Sequence, residues 1–170
     1  MSDTIIDARS SESTNAKELI VRGVLIMLAC AAVMLPVLEV STMGRSTGSN
    51  IMHPRMLGLT ALIVPFGFLA ASGAFFTKAN PSVQKIADGL ALGVAILVML
   101  YVGNALYNEY AKLSQATSQA SGMLNGLGGS NMSNALSRMV PKISLGFGLY
   151  AFAALMVLAV WHFVNRLRRG

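Results

Sequence analysis

The sequence has few of the residues on which most enzyme sites depend. It contains one cysteine, Cys30, and two histidines, His53 and His162, among 170 residues. One cysteine can form no intrachain disulfide and cannot perform dithiol exchange. Nucleotide-binding loops, zinc-protease motifs, paired-cysteine motifs and nucleophile elbows do not occur in the sequence. The sequence therefore predicts a protein that is not an enzyme, with no catalytic residue, no bound metal and no cofactor.

Charge is also scarce. Only 12% of the residues are charged, whereas 54% are hydrophobic, and a typical soluble domain has about 25% charged residues. A soluble chain of this length could not bury so much apolar surface, so the bilayer is the expected solvent. The thirteen Lys and Arg residues exceed the seven acids, but they are scattered at the ends of apolar runs, as membrane-flanking residues are. We therefore expect the lipid bilayer as a partner and no nucleic acid.

Four apolar segments are long enough to cross a hydrocarbon core of about 30 Å. They cover residues 19–40, 56–76, 86–107 and 143–165. Because the connections between them are mostly short, they predict an all-α integral membrane protein with four transmembrane helices in an antiparallel bundle. Residues 1–17 are polar and lack apolar periodicity, which predicts a flexible cytoplasmic tail. Residues 18–170 then form one transmembrane domain.

The longest polar segment is the predicted outer loop 108–141. Its glycines interrupt any helix, and the short stretch after them predicts a small amphipathic helix. The apolar residues of that helix are Met132, Leu136, Met139 and Val140. The segment is suited either to contacting a partner or to covering the membrane domain, and the sequence leaves both alternatives open.

The distribution of basic residues predicts the topology. An even number of spans places both termini on one side, together with the 77–85 loop. That side then carries Arg9, Lys17, Arg22, Lys78, Lys85, Arg166, Arg168 and Arg169, whereas the opposite side carries Arg45, Arg55, Lys112, Arg138 and Lys142. The positive-inside rule therefore favours cytoplasmic termini. We expect a multi-pass protein of the bacterial inner membrane.

Small residues follow one face of the third predicted span. On a helix, this face carries Gly89, Gly93, Ile96, Leu100, Gly103, Asn104 and Tyr107, a set that we call the glycine seam. Its alternating steps of four and three residues are typical of a helix that packs closely along another. Gly89 and Gly93 form a GxxxG element, and Ser144 and Gly148 repeat this spacing in the fourth span. These residues are the predicted helix-packing interface, with Asn104 as a candidate interhelical hydrogen bond.

Several polar residues lie inside or at the ends of the spans. Glu39 and His162 are interpreted as interfacial residues, with a cation-binding or proton-carrying role as the alternative. Asp88 is expected to pair with Lys85 at the membrane surface, because the two are three residues apart. Arg22 is expected to extend its guanidinium towards the headgroups.

Three functions remain open from the sequence. The leading hypothesis is an accessory or assembly subunit of a membrane complex, acting through helix–helix packing with a membrane-protein partner or with copies of itself. The first alternative is a small oligomeric transporter or channel, in which Pro65 is a hinge and the intramembrane polar residues line a path. A further alternative is a membrane immunity protein that recognises its partner through residues 109–141.

Overall fold

The protein is mostly helical, and a small sheet accompanies the helices. The computed structural model describes residues 3–42, 45–54, 56–126 and 142–168. The elements, in chain order, are α1 (Asp3–Met34), β1 (Pro36–Thr42), β2 (Arg45–Asn50), a 3-10 helix (Gly58–Leu62), α2 (Ile63–Phe76), α3 (Pro81–Gly126), β3 (Lys142–Leu145) and α4 (Phe147–Arg168).

Three helical segments of the described chain are apolar and long enough to cross a membrane. They are Gly58–Phe76, which joins the 3-10 helix to α2, Pro81–Ala116 within α3, and Phe147–Arg168, which is α4. α1 is also long, but its last eighteen residues include Lys17, Glu18 and Arg22. The structure thus supports three membrane-crossing helices by length and composition. The predicted class, a helical membrane protein, agrees with this result as far as the length and composition of three helices show.

The sheet was not predicted, and it changes the ends of two predicted spans. The predicted first span runs to residue 40, but α1 ends at Met34 and β1 begins at Pro36. Proline has no amide hydrogen and cannot continue a helix, although it is tolerated as the first residue of a strand. The predicted fourth span begins at residue 143, but Lys142–Leu145 forms β3 and the helix starts at Phe147.

β1 is the central strand of the order β2-β1-β3, and it is antiparallel to both neighbours. Glu39 lies opposite Gly48 on one side and Ser144 on the other. The β1–β2 pairing connects residues adjacent in the chain, whereas the β1–β3 pairing connects the end of α1 to the start of α4. The sheet therefore holds α1 and α4 together at this end of the molecule, which we call the sheet end.

One core unites the four helices. Its buried residues recur at steps of three and four along each helix, as expected when one face of a helix is packed. The core residues are Leu25, Ala29, Ala32 and Val33 of α1, Val64, Phe68 and Ala71 of α2, Ala91, Ala95, Val98, Val102 and Leu106 of α3, and Phe152, Leu155 and Ala159 of α4. Six of these are alanines, whose small side chains allow helices to approach closely in a membrane.

α3 is much longer than the predicted third span. Its 46 residues correspond to about 69 Å at 1.5 Å per residue. The predicted loop 108–141 is therefore helical as far as Gly126, and the predicted amphipathic helix at 132–140 lies outside the described residues. At the other terminus, residues 3–17, predicted as a flexible tail, continue the backbone of α1.

Two glycines allow the start of α4 to contact the chain that leaves α1. A Cβ atom added at Gly148 would overlap the carbonyl oxygen of Leu35. A Cβ atom at Gly146 would overlap the carbonyl oxygen of Pro36, and the Gly146 amide donates a 3.0 Å hydrogen bond to the carbonyl oxygen of Val37. Backbone atoms cannot move aside as a flexible side chain can, so both positions require glycine.

We predict that Gly148→Ala destabilises the protein by about 1–3 kcal/mol, the usual cost of overpacking. The added methyl group would displace the Leu35–Pro36 backbone and weaken the junction between α1 and α4. The free energy of unfolding in detergent micelles, followed by circular dichroism, measures the effect.

Gly93→Ala is the matched control, because a Cβ atom at Gly93 meets nothing within 4 Å. Alanine is also the better helix former, so this variant should be as stable as the parent or slightly more stable. Equal stability of the two variants would show that the close approach at Gly148 does not constrain the fold.

Candidate functional site

Six polar side chains meet where α1, α3 and α4 pack together, at the end opposite the sheet. They are Glu18 and Arg22 of α1, Gln84 and Asp88 of α3, and His162 and Arg166 of α4. We call this set the charged cluster and its location the charged end. Arg22, Asp88 and His162 continue the buried stripe of their helices, which places them on the core side of each helix.

Arg22 and Asp88 form the centre of the cluster. The two guanidinium nitrogens Nη1 and Nη2 donate to Oδ1 and Oδ2 of Asp88, each at 3.0 Å. The side chains are only 3% and 6% exposed. The space beside the pair measures about 10 Å³, roughly the lower limit for one water molecule. The pair is therefore held in a dry environment, where a two-pronged contact between arginine and carboxylate is strongest.

Helix α2 completes the surroundings of Arg22. Nη1 also donates a 3.1 Å hydrogen bond to the carbonyl oxygen of Ala71, and the guanidinium lies 4.9 Å from the ring centre of Phe75. A cation over an aromatic face gains further electrostatic attraction. Arg22 thus contacts both neighbouring helices at once, α3 through Asp88 and α2 through Ala71 and Phe75.

Arg166 gives Asp88 a second cationic partner. Its guanidinium donates to Oδ2 of Asp88 through Nη1 and to Oε1 of Gln84 through Nη2. Asp88 therefore bridges two arginines from two different helices. Because Arg166 is 17% exposed and Arg22 only 3%, the Arg166 contact is the more accessible to solvent.

Glu18 and His162 occupy the outer part of the cluster. Oε1 of Glu18 lies 3.3 Å from Nη2 of Arg22, 3.4 Å from Nε2 of His162 and 3.8 Å from Nη1 of Arg166. Despite these short distances, Glu18 Oε1, Arg22 Nε and His162 Nε2 are buried polar atoms without a hydrogen-bond partner among the described residues. Such atoms are rare in native proteins and require an explanation.

A cavity of about 460 Å³ opens beside these atoms between α1 and α4. Its lining consists of Lys17, Glu18, Val21, Trp161, His162, Asn165 and Arg166. Lys17 and Trp161 are exposed at its rim, so the cavity communicates with the surroundings. We call it the polar cavity.

The predictions for two polar residues need correction at this point. Asp88 does not pair with Lys85 at a surface but is buried against Arg22 and Arg166. Arg22 does not extend towards headgroups, because its side chain turns into the core. His162 is 7% exposed and packs beside Glu18, and its interfacial position stays a prediction.

The sequence contains a signal for the cluster that single-residue reasoning missed. Glu18 and Arg22, Gln84 and Asp88, and His162 and Arg166 are each four residues apart, so each pair shares one helix face. In an antiparallel bundle, all three pairs lie on the same side, because two of them are at the N-terminal end of an apolar segment and the third is at the C-terminal end. Comparing the spans with one another, instead of one at a time, would have indicated a shared polar layer.

The glycine seam was predicted to pack against the other helices, but it points away from them. The buried face of α3 runs through Asp88, Ala91, Ala95, Val98, Val102 and Leu106. At 100° per residue, the seam points about 150° away from that face. Gly89 alone approaches a neighbour, since a Cβ atom there would lie 3.4 Å from the Phe163 ring, whereas Gly93 and Gly103 have nothing within 4 Å. Asn104 is exposed, so the alanine face of α3, and not the seam, packs the four helices together.

The remaining predicted residues fall at the sheet end or in α2. Ser144 lies in β3 and is exposed, whereas Gly148 is buried against Leu35. Glu39 is half-buried in the central strand β1. Pro65 is buried in the first turn of α2, a part of a helix in which proline is tolerated. The hinge at Pro65 stays a prediction, now placed at the start of a helix.

Across the parts of the chain that the structure describes, no group of three or more His, Cys, Asp or Glu residues could hold a metal ion. Comparisons with protein families, curated proteins and solved structures found no match for this chain. The interpretation of the charged cluster therefore depends on its geometry. In that geometry, the side chains of the cluster hold α1, α3 and α4 together, and the polar cavity lies beside them.

We predict that Asp88→Asn destabilises the protein by about 3–5 kcal/mol, because the buried guanidinium of Arg22 and the partly exposed guanidinium of Arg166 would both lose their carboxylate. Arg166→Gln should cost less, since Arg22 would still neutralise Asp88 and since Arg166 is partly exposed. Unfolding free energies in mixed micelles give the order of the two effects.

The exposed pair of Glu109 and Lys112 provides the control. Its atoms are 3.4 Å apart and the side chains are 43% and 72% exposed, so Glu109→Gln should change stability by less than about 1 kcal/mol. An Asp88→Asn effect no larger than that of Glu109→Gln would contradict a structural role for the buried pair.

Proposed function

We propose that the chain is a non-enzymatic accessory or assembly subunit of a bacterial inner-membrane complex, which binds its partner through the glycine seam of α3. In this proposal all four helices span the membrane as an antiparallel bundle with both termini in the cytoplasm. The excess of basic residues on the side of the termini supports this orientation. The charged end then lies at the cytoplasmic surface.

The observation that carries the proposal is the direction of the seam. Its small residues point away from the core, and no atom of the residues that the structure describes lies in the space beside Gly93 and Gly103. A surface made only to contact lipid has no need of glycines, which lower helix stability by about 1 kcal/mol each relative to alanine. Glycines spaced along one face are, by contrast, what a second helix requires to approach closely.

The polar residue of the seam also supports binding to a partner. Asn104 is exposed and lies outside the core of the four helices. An asparagine on a membrane helix gains a hydrogen bond when a partner helix supplies an acceptor, worth about 0.6 kcal/mol on average. Tyr107, one turn further along, is 72% exposed and extends the same surface.

The length of α3 adds an independent argument. Lys112 is the last α3 residue that lines a groove of about 560 Å³ against the sheet end. The helix continues from there to Gly126, about 21 Å further at 1.5 Å per residue. A helix that continues this far past the groove is suited to lying along a partner.

The geometry favours this function over a transporter. A cation path requires an acid whose charge is available to the passing ion. Asp88, the most deeply buried acid of the described chain, is already neutralised by two arginines. Its contacts are those of a fixed element that holds helices in place.

We predict that the double variant Gly93→Leu/Gly103→Leu separates the protein from its partner without unfolding it. Leucine at these positions enters open space in the isolated chain but would hold a second helix at a distance. After extraction in mild detergent, the amount of co-purified partner, or of self-associated protein, should fall by about tenfold, equal to about 1.4 kcal/mol.

Gly23→Leu is the matched control. Gly23 is an exposed glycine of α1 that likewise has nothing within 4 Å among the described residues, so this variant makes one substitution of the same kind outside the seam. It should leave both association and stability unchanged. A parent protein that purifies as a lone monomer, or a seam variant that associates as the parent does, would refute the proposal.

A further inference from the structure

An apolar groove along α4 adjoins the polar cavity and shares lining residues with it. The groove has a volume of about 570 Å³ and is lined by Met156, Val157, Val160, Trp161, Val164, Asn165 and Arg168. Trp161 and Asn165 line both spaces. A charged chamber and a hydrophobic channel therefore meet at one tryptophan, at the charged end of the packed helices.

From this juxtaposition we propose that the chain has a binding site for one phospholipid molecule, with the headgroup in the polar cavity and an acyl chain in the apolar groove. The site is separate from the glycine seam on α3, so the inference does not rest on the proposed function. Two groups of observations carry it, one for each part of the lipid.

The polar cavity has the charges that a phosphate requires. Lys17 and Arg166 line it with Glu18 as the acid, so its fixed charges sum to one positive charge. Glu18 does not repel an anion strongly, because Arg22 and Arg166 lie within 4 Å of its Oε1 atom. Basic pockets between transmembrane helices near a membrane surface bind phospholipid headgroups in this way.

The acid of the cavity defines the rest of the headgroup. Glu18 lines the cavity and its side chain is 19% exposed, so its carboxylate can accept a hydrogen bond there. His162 lines the cavity beside it, with Nε2 3.4 Å from Oε1 of Glu18. A headgroup with both a phosphate and a hydrogen-bond donor suits this arrangement. The ammonium group of phosphatidylethanolamine and the hydroxyls of phosphatidylglycerol are such donors, whereas the quaternary ammonium of phosphatidylcholine is not.

The apolar groove is suited to an acyl chain. Its aliphatic residues Met156, Val157, Val160 and Val164 follow one face of α4 from the charged end towards the middle of the helix. Val157 is 72% exposed and Val160 is 43% exposed, so the groove is open along its side. Trp161, 55% exposed, occupies the place between headgroup and chain that tryptophan prefers at membrane interfaces.

The sole tryptophan of the sequence makes the site directly measurable. Trp161 lines both spaces, so a lipid with brominated acyl chains will quench its fluorescence when it binds. The protein in dodecyl maltoside micelles is titrated separately with brominated phosphatidylethanolamine, phosphatidylglycerol and phosphatidylcholine. We expect half-maximal quenching by the first two at concentrations about tenfold lower than by phosphatidylcholine, as one additional hydrogen bond to a charged group allows.

A pair of lysine variants tests the contribution of the cavity. Lys17→Gln removes an exposed cation from the rim and should raise the half-maximal concentration about fivefold, the effect of one lysine near an anionic surface. Lys78→Gln removes an exposed lysine that lines neither space and should have no effect. Because both lysines are exposed, neither variant threatens the fold, and circular dichroism verifies this.

Other outcomes would overturn the inference. If all three lipids quench equally, and if Lys17→Gln leaves the quenching unchanged, the signal comes only from the general lipid layer that surrounds any membrane protein. Inorganic phosphate is added as a competitor to distinguish a lipid from a free anion. Displacement of brominated lipid by phosphate alone at micromolar concentration would assign the cavity to the free anion instead.

Discussion

The contact between Arg22 and Asp88 is the interaction on which the arrangement of the helices depends. A buried charge is costly unless it is matched, so rotation of Arg22 away from Asp88 would break a buried ion pair in an apolar core. Arg166 and the Ala71 carbonyl extend this requirement to α4 and α2. Apolar packing between alanines alone would tolerate small rotations and axial shifts of the helices. The charged cluster removes that freedom at one end, and the sheet removes it at the other.

Three of the four predicted spans correspond to helices that are apolar and long enough to cross a membrane, because length and hydropathy are local properties of the chain. The sequence did not predict which face of α3 packs inward. Glycines at Gly93 and Gly103 form a conspicuous pattern, whereas Ala91 and Ala95 do not differ from ordinary helix residues. Both sets are small enough for close approach, and only the position of Asp88 on the alanine face distinguishes them. A buried ion pair needs a partner on another helix, and that information is absent from any single segment.

The sheet was unpredictable for a similar reason. Residues 36–38 continue the apolar run of α1, so hydropathy gives no sign of the start of the strand except Pro36. β3 has four residues, too few for a reliable alternation of polar and apolar side chains. What stabilises β1 is its pairing with a strand at the far end of the chain, and the close approach at Gly146 and Gly148 makes room for it. The charged cluster, by contrast, was within reach of the sequence through its three i, i+4 pairs.

The central position of β1 also constrains the order in which the chain can be assembled. Leu38 pairs with Leu145 about a hundred residues later, so one edge of β1 has no partner while α2 and α3 are being synthesised. The hairpin with β2 satisfies only the other edge. The pairing of β3 with β1 therefore indicates that α4, which follows β3, is in register. A chain truncated before β3 would keep an open strand edge, a structure that favours pairing with other chains.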